Sequence, residues 1–393
     1  MADQDFDVVV IGAGPAGSSA AKRACDLGLS VALIDRAVFP RPKLCGALIS
    51  PRGNKAVKRV FDMEMSPEMF LVSRQVAFKW DGEELNRFDA PYDLTYTYRL
   101  DFDHWLQQAA VAAGAVDMQG TRVETIHDAD NLLELSDGRR IGYKVLIGAD
   151  GAASPVAKHI LGAAYDPDKI GFAFETEAPG GCEPEALMSI DFDIVHWGYG
   201  WNFPKAGSRT IGLGAIRSVD QDLQERMARY LAHEGVDPDS VKIKGAHIPL
   251  GDFKEKPGKG NVLLAGDAAG FVDGITGEGI ALAIESGAEA AEAAAQPCTS
   301  AASGAAPRDR ASVKAPTKLS PAPTLDFTGT SMVLACQRPC VVARTDPSAP
   351  SASTTTSAIP PTIREWAKSA TSSRVTSLRP ASSALSAPSS LST

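Results

Sequence analysis

The stretch that decides the fold lies near the start of the chain, Asp7-Val8-Val9-Val10-Ile11-Gly12-Ala13-Gly14-Pro15-Ala16-Gly17. The apolar run that opens it is typical of a buried parallel strand. Small residues over 16–27 predict a helix, and Gly28 follows where a C′ glycine belongs. A second strand is predicted over 30–34, ending at Asp35. This order of strand, glycine turn, helix, strand and acid indicates a dinucleotide-binding βαβ unit.

Each glycine of the turn has a separate physical role in that interpretation. Gly12 permits the tight turn, Gly14 lets the backbone approach a pyrophosphate, and Gly17 lets the helix pack closely on the strand. The helix N-terminus offers free N–H groups and about half a positive charge to the phosphates. Asp35 is placed to accept hydrogen bonds from a ribose. A plain structural glycine turn is the alternative, but the complete context favours a nucleotide.

Two later segments predict a second half of the same site. An apolar strand over 145–147 leads into Gly148-Ala149-Asp150-Gly151, and another over 261–265 leads into a glycine-rich stretch, 266–280. That stretch opens a long Ala-rich helix, whose N-terminus supplies further N–H donors. Asp267, at a strand end, is placed to bind a sugar-like hydroxyl chain.

These segments together resemble the FAD-binding set of flavoproteins of the glutathione-reductase and hydroxybenzoate-hydroxylase type. The resemblance implies FAD, with its ADP half at the first turn and its ribityl chain and flavin near Asp267. No second Gly-x-Gly-x-x-Gly is present, so NAD(P)H would bind only transiently, as reductant. The predicted fold class is α/β: a Rossmann-type FAD/NAD(P)-binding domain with an inserted, mostly antiparallel-sheet substrate domain and a disordered C-terminal tail.

Two further motifs resemble the geranylgeranyl reductase family. Residues 42–48 (PKLCGAL) are similar to its KxCGG-like loop, and residues 199–205 (YGWNFPK) to its YxWxFP strand. Arg99 begins a stretch that matches the family's R-x-x-F-D-x-x-L helix start. The resemblance covers about residues 5–296. The loop departs from the family at Ala47, where a second glycine is expected, and this weakens any assignment to a substrate subgroup.

The resemblance also implies which residues hold the cofactor. Arg99 is expected near the FAD phosphates, since a guanidinium can fork onto two oxygens, although a surface cation is the alternative. Cys45 is expected beside the isoalloxazine, although free cysteines are often small buried hydrophobes. The predicted cofactor-binding residues are Gly12, Gly14, Ala16, Gly17, Asp35, Arg36, Cys45, Gly46, Arg99, Val123, Asp267, Gly279 and Ile280.

An aromatic strand is predicted around the second motif. Because alternate strand residues share a face, we expect Gly198 and Gly200 on one face, with something packed closely on them, and Pro204 to end the strand. The opposite face would carry Val195, Trp197, Tyr199, Trp201 and Phe203. These aromatics are either ordinary core or, as the resemblance implies, the wall of a cavity for an isoprenoid chain. Tyr199, Trp201 and Cys45 are the predicted catalytic residues, with Tyr199 and Cys45 the candidate proton donors.

The domain division follows from a predicted hairpin over 76–88, where Asp81-Gly82 is typical of a type I′ turn. With the region 191–216, the hairpin predicts a separate antiparallel sheet. We expect an FAD-binding domain over 1–70, 96–160 and 255–296. A substrate domain would comprise 71–95 and 161–254, and a low-complexity tail would comprise 297–393.

The function expected on this basis is an FAD-dependent oxidoreductase that reduces C=C bonds of an isoprenoid chain, with NAD(P)H as electron source. The alternatives are an FAD-dependent aromatic monooxygenase and an FAD-binding remnant without activity. The substrate would be a small isoprenoid or prenyl lipid; a lipid, a quinone, a chlorophyll precursor and a free diphosphate all remain open. Neither the electron donor nor the oligomeric state follows from the sequence.

The composition also disfavours several classes of protein. The 393 residues carry a formal net charge of -9, which disfavours a nucleic-acid partner. The six scattered histidines, and six cysteines without a CxxC pair, favour a reduced cytoplasmic protein without a bound metal. No eighteen-residue apolar run and no signal peptide are found. Peripheral membrane contact is compatible with a lipid substrate, although no basic amphipathic helix indicates it.

The chain changes character near residue 297. Beyond it, Ser, Ala, Thr and Pro dominate, no apolar period is found, and bases outnumber acids, giving the segment a charge of about +6. Such a composition predicts disorder. Because the change is abrupt and falls inside an Ala-rich helix, we favour a frame shift in the gene over a natural disordered tail.

Overall fold

The computed structural model describes residues 1–180 and 186–296. The predicted tail, 297–393, and its origin by frame shift lie outside the described residues. Within them are sixteen strands and six α-helices. The strands are β1 (Gln4–Ile11), β2 (Val31–Asp35), β3 (Leu48–Ile49), β4 (Leu71–Trp80), β5 (Glu83–Tyr96), β6 (Val116–Gln119), β7 (Val123–His127), β8 (Leu132–Leu135), β9 (Arg140–Gly148), β10 (Gly171–Pro179), β11 (Met188–Phe192), β12 (Gly198–Lys205), β13 (Ser208–Ile216), β14 (Lys244–Ile248), β15 (Gly258–Lys259) and β16 (Val262–Leu264). The helices are α1 (Pro15–Asp26), α2 (Pro51–Phe61), α3 (Arg99–Ala112), α4 (Pro155–Leu161), α5 (Leu223–His233) and α6 (Ile280–Ala295).

The first sheet has the order β15-β16-β9-β1-β2-β6, with β8 and then β7 continuing from β9. β16, β9, β1, β2 and β6 are parallel to their neighbours along this path. Most of their apolar residues are buried on both faces, as continuous apolar runs predict, although Val116 at the start of the edge strand β6 is exposed. Because the chain leaves β1 for β2 on one side and β9 lies on the other, the carboxyl ends of these strands open a crevice at a topological switch point.

Helices α1 and α6 cover one face of this sheet through small residues. A Cβ at Gly287 would lie 2.1 Å from the Ala16 carbonyl oxygen, and a Cβ at Gly266 would lie 2.9 Å from the Ala16 side chain. The Ser19 hydroxyl donates to the Ile284 carbonyl at 2.5 Å. This close crossing brings the N-termini of both helices to the same edge of the sheet.

The second sheet has the order β14-β10-β13-β12-β11-β4-β5-β3 and is antiparallel except where β11 meets β4. Its hairpin turn has positive φ at both Asp81 and Gly82, as predicted for a type I′ turn. The predicted fold class is therefore confirmed. The domain boundaries stay a prediction, and the short strand β3 pairs with β5 although it lies in the range assigned to the first domain.

The aromatic strand differs from the prediction in two respects. β12 begins only at Gly198; Trp197 has a positive φ and is 78% exposed, and Val195 is buried in the cluster around Tyr230 on the other side of the sheet. The wall thus holds three aromatics rather than four, because a turn precedes the strand. Pro204 does not end the strand: it lies opposite Arg209 in the β12–β13 hairpin.

Candidate functional site

The glycine turn after β1 has the geometry that its sequence predicts. Gly12 has φ +100°, and a Cβ there would lie 2.3 Å from the Ala149 carbonyl oxygen. A Cβ at Gly17 would lie 1.6 Å from the Gly12 carbonyl oxygen. Gly14 is different, because its Cβ would meet only the Arg41 guanidinium, at 3.4 Å. Gly12 and Gly17 fix the shape of the turn, and Gly14 leaves its outer face free.

The N-terminus of α1 lies directly behind that free face. Gly14 is the N-cap, no side chain caps the helix, and its first turn carries no acid. Pro15, which has no N–H, occupies the first helical position, where none is required. The remaining N–H groups and the helix dipole favour an anion at this point.

Asp35 has a supporting contact in addition to its predicted ribose role. One carboxylate oxygen accepts from the Ala13 backbone N–H at 2.7 Å, and the other from the Ala37 N–H at 2.8 Å. The acid therefore holds the glycine turn against β2, while each oxygen retains a lone pair for a ligand. Of the predicted neighbours, Arg36 is exposed beside it, and Val123 opens β7 and packs on the core of the first sheet.

Two guanidinium groups meet at one buried acid near the turn. Arg99 begins α3, as predicted, and forks onto Asp103 with distances of 2.6 and 2.9 Å. Arg41 approaches the same carboxylate at 3.2 Å and also faces Gly14. Asp103 is fully buried. No sequence motif marks Arg41, since an isolated arginine in a loop carries no pattern of its own.

The second glycine-rich segment supplies the other half of the site. Asp267 lies after β16, with its carboxylate 3.8 Å from where a Cβ of Gly279 would be. Gly279 is the N-cap of α6, no side chain caps this helix, and Ile280 is its buried first residue. Among the described residues, Asp267 has no side-chain hydrogen-bond partner. An unpaired carboxylate beside a free helix N-terminus suits a chain of hydroxyl groups.

An Asx-type turn connects this segment to the second sheet. The Asp273 carboxylate accepts from the N–H groups of Ile275 and Thr276, at 3.0 and 2.7 Å. The Tyr199 hydroxyl donates to the Thr276 carbonyl at 2.7 Å. Tyr199 therefore joins the aromatic strand to the loop that precedes α6.

The loop of residues 45–47 is held by charged side chains of the second sheet. Glu175, on β10, accepts from the Cys45 backbone N–H at 3.0 Å. Lys205, at the end of β12, donates to the carbonyls of Gly46 at 2.6 Å and Thr97 at 2.5 Å. Ala47 has φ +48°, a left-handed conformation that explains the glycine expected there.

An aromatic wall of Tyr199, Trp201 and Phe203 adjoins this loop. Their ring centroids follow one another at 6.1 and 6.4 Å, and Tyr96 extends the wall 6.2 Å from Phe203. A Cβ at Gly46 would lie 2.7 Å from the Phe203 ring. The predicted catalytic residues thus fall into one region: Tyr199 and Trp201 within the wall, and Cys45 on the loop packed against it.

The opposite face of β12 shows why its glycines are needed. A Cβ at Gly200 would lie 2.8 Å from the Tyr230 ring of α5, and a Cβ at Gly198 would lie 1.9 Å from the Gly214 carbonyl oxygen. The predicted close approach is therefore confirmed. The aromatic wall consequently occupies the face turned away from α5.

Burial shifts the pKa of several groups in this region. It raises the pKa of Glu175 to about 7, and it lowers the pKa of Lys205 to about 8. The pKa of Tyr199 is raised by burial and by the nearby Asp273. Arg99 has a raised pKa despite its burial, because Asp103 and Cys45 favour the cation. Glu175 and Lys205 are not among the predicted site residues, since no local motif marks their burial.

These residues fit FAD. The uncapped N-terminus of α1, the open face at Gly14 and the guanidinium of Arg41 present positive potential where a pyrophosphate would lie. Asp35 and Asp267 offer carboxylates at two separate strand ends, suited to ribose and to ribityl hydroxyls. In the described part of the chain, no group of three or more His, Cys, Asp or Glu could hold a metal ion. Among the described helices, none combines the length and the hydropathy of a membrane span.

The chain is similar to known oxidoreductases. Residues 6–172 match the family described as pyridine nucleotide-disulphide oxidoreductase. The chain is 32% identical over 308 residues to the geranylgeranyl diphosphate reductase of Rhodobacter capsulatus, covering 74% of this chain and 75% of the relative. It is also 32% identical over 314 residues to the menaquinone reductase of Mycolicibacterium smegmatis, covering 73% and 75%.

A solved structure shares the fold. The geranylgeranyl bacteriochlorophyll reductase-like protein of Thermoplasma acidophilum superposes with a TM-score of 0.66 at 22% identity, covering 74% of this chain and 78% of that one. In this chain, the glycine turn, the second nucleotide segment and the loop of Cys45 all belong to the shared fold. The protein is therefore an FAD-dependent oxidoreductase, and the chain belongs to the geranylgeranyl reductase family.

Proposed function

We propose that this chain reduces C=C bonds of an isoprenoid chain, with NAD(P)H as the source of electrons. The observation that carries the proposal is the aromatic wall of Tyr199, Trp201 and Phe203, packed on the Cys45 loop and joined to the Thr276 loop. Both loops belong to the segments that would hold the flavin. An apolar wall at that junction suits a substrate with few polar groups.

Residues near the first sheet bind the cofactor, and residues of the second sheet orient the substrate. The turn at Gly14, with Arg41, binds the ADP half of the cofactor, and Asp267 with the N-terminus of α6 binds the ribityl side. Reduced FAD, when bound, supplies hydride to an alkene carbon. The aromatic wall orients the chain and excludes water, and Cys45 borders the reacting carbons.

We propose the same division into domains that the sequence predicts. The FAD-binding domain comprises 1–70, 96–160 and 255–296, and the substrate domain comprises 71–95 and 161–254. A prenyl-lipid substrate brings the protein to a membrane surface by peripheral contact. The menaquinone reductase relative makes a prenylated quinone the second substrate class to test.

The direct test incubates the holoprotein with NADPH under nitrogen and with geranylgeranyl diphosphate, menaquinone or a digeranylgeranyl glycerophospholipid. We expect a product heavier by two hydrogens for each reduced double bond, measured by mass spectrometry. If NADPH is consumed only with oxygen and every chain stays unsaturated, the proposal is wrong. A product carrying one added oxygen atom would instead support an aromatic monooxygenase.

Two tryptophans provide a matched pair of variants. Trp201→Leu removes the middle of the wall, and Trp197→Leu changes an indole that is 78% exposed outside it. We expect Trp201→Leu to lower chain saturation at least about 10-fold, because a large aromatic contact is lost, while flavin reduction by NADPH is unchanged. Trp197→Leu should retain both activities. Equal losses in the two variants would contradict the role of the wall.

A further inference from the structure

A row of three residues crosses the second sheet at the edge of the aromatic wall. Trp201 on β12 pairs with Gly212 on β13, and Gly212 pairs with Glu175 on β10. A Cβ at Gly212 would lie 2.4 Å from the Trp201 ring, and a Cβ at Gly214 would lie 3.5 Å from it. The two glycines let the indole lie across β13, so that it reaches the Glu175 carboxyl group.

The Glu175 carboxyl group is buried on the same face as the wall. Its side chain is only 6% exposed, and Ala173, two residues earlier on β10, packs with Trp201 and Phe203. One oxygen accepts from the Cys45 N–H, while the other is buried and makes no hydrogen bond of ordinary geometry among the described residues, although the nearby Trp201 side chain acts to lower the pKa of Glu175. An unpaired, buried carboxylate oxygen is costly. This oxygen is therefore the natural position for a proton.

Charged and titratable groups face Glu175 from each neighbouring element. Glu177 lies two residues along β10, Lys205 approaches from β12, Cys45 lies on the loop, and Lys244 is opposite on β14. Burial and Glu177 raise the pKa of Glu175, while the Cys45 N–H, Lys205 and the Trp201 side chain lower it, with a net value of about 7. Glu177 is exposed, so the same strand face leads from the buried acid to solvent.

The other hydroxyl at the wall is less suited to proton transfer. The Tyr199 proton is directed to the Thr276 carbonyl, and burial raises the pKa of this phenol well above neutral pH. Efficient general acids have pKa values near the working pH. Tyr199 therefore positions the loop, whereas Glu175 has both the location and the protonation state of an acid.

We propose that Glu175 is a further catalytic residue: the general acid that supplies the proton for reduction of the alkene. The inference rests on the proposed function. While hydride from the reduced cofactor forms one C–H bond, the Glu175 O–H bond breaks and its proton forms the second C–H bond at the adjacent carbon. The electron pair of the O–H bond stays on the carboxylate, which regains a proton from solvent along the Glu177 side.

The test compares wild-type holoprotein with Glu175→Gln, which keeps an acceptor for the Cys45 N–H but has no acidic proton. We expect chain saturation to fall at least about 100-fold, as for loss of a general acid, with NADPH-dependent flavin reduction and flavin content unchanged. Because the neutral acid is the active form, wild-type turnover should be full at low pH and fall as the pH rises through about 7. Glu124→Gln, at an exposed glutamate, is the control.

Infrared titration of the carboxyl band gives a second measurement that needs no substrate. A protonated carboxyl present at neutral pH in wild type and missing in Glu175→Gln supports Glu175 as the acid of this site. If that band is present but no isoprenoid is reduced, the proposed function is overturned, and with it the alkene as proton acceptor, while Glu175 as the acid is retained. The inference is overturned if Glu175→Gln saturates chains at a rate within about 3-fold of that of wild type. It is also overturned if the substitution leaves the infrared titration unchanged. Glu175→Asp, which retains an acid, should recover part of the lost rate.

Discussion

The glycine turn after β1 and the loop of residues 45–47 both border the proposed flavin site, but they are held in different ways. The turn is fixed by the lack of side chains at Gly12 and Gly17, whose neighbours are backbone atoms. The loop is fixed by Glu175 and Lys205, which lie 130 and 159 positions further along the chain from their partners. The exclusion at Gly17 thus comes from a residue five positions away and that at Gly12 from Ala149 on a neighbouring strand end, whereas the electrostatic support of the loop comes only from distant residues.

The largest effect is expected where the turn has no free space. Gly17→Ala would place a Cβ 1.6 Å from the Gly12 carbonyl oxygen, and we expect a loss of at least about 3 kcal/mol in unfolding free energy and no retained flavin. Gly14→Ala is the matched control, because its nearest contact is 3.4 Å. It should keep the melting temperature of the apoprotein and weaken only FAD binding, measured by flavin fluorescence. Similar unfolding midpoints for the two variants would contradict this account of the turn.

An intermediate effect is expected in the loop. Lys205→Met leaves the Gly46 and Thr97 carbonyls without their donor, and we expect a loss of about 2 kcal/mol in unfolding free energy. The loosened loop should also let an alkylating reagent reach Cys45 faster, which peptide mass spectrometry measures. Lys55→Met, at an exposed lysine of α2, should change neither quantity. Unchanged Cys45 alkylation in Lys205→Met would show that Lys205 does not hold the loop.

The smallest effect is expected at Ala47. Ala47→Gly removes a buried methyl group but also removes the strain of a left-handed backbone conformation. These two contributions to the unfolding free energy, about 1 kcal/mol each, nearly cancel. Ala20→Gly, at a fully buried position in α1, has no such relief and should cost about 2 kcal/mol. Chemical denaturation of the two variants measures the difference. Equal losses would mean that the φ of Ala47 carries no strain.

Several features of the fold were predictable because their cause lies within a few residues. The turn at Gly12, the hairpin at Asp81-Gly82 and the start of α3 at Arg99 each depend on local backbone conformation. The aromatic face was only partly predictable. Strand alternation holds from Tyr199 to Phe203, but it fails at Trp197, since a turn residue with positive φ interrupts the period.

The candidate site was predictable only where a motif marks it. Cys45 and Tyr199 belong to recognisable stretches, whereas Glu175 and Arg41 belong to none. Nothing near Glu175 in the sequence shows that its carboxyl group is buried, because that burial arises from Trp201 lying over Gly212 on a neighbouring strand.

The sequence by itself determined that this protein has a two-part nucleotide site, because glycine turns and strand-end acids act over one or two residues of backbone. Only the tertiary structure decided which charged groups support the Cys45 loop and which acid faces the aromatic wall. The physical reason is that the pKa of a side chain depends on its solvation and on charges brought close by folding. Those quantities are properties of spatial neighbours, which sequence spacing does not specify.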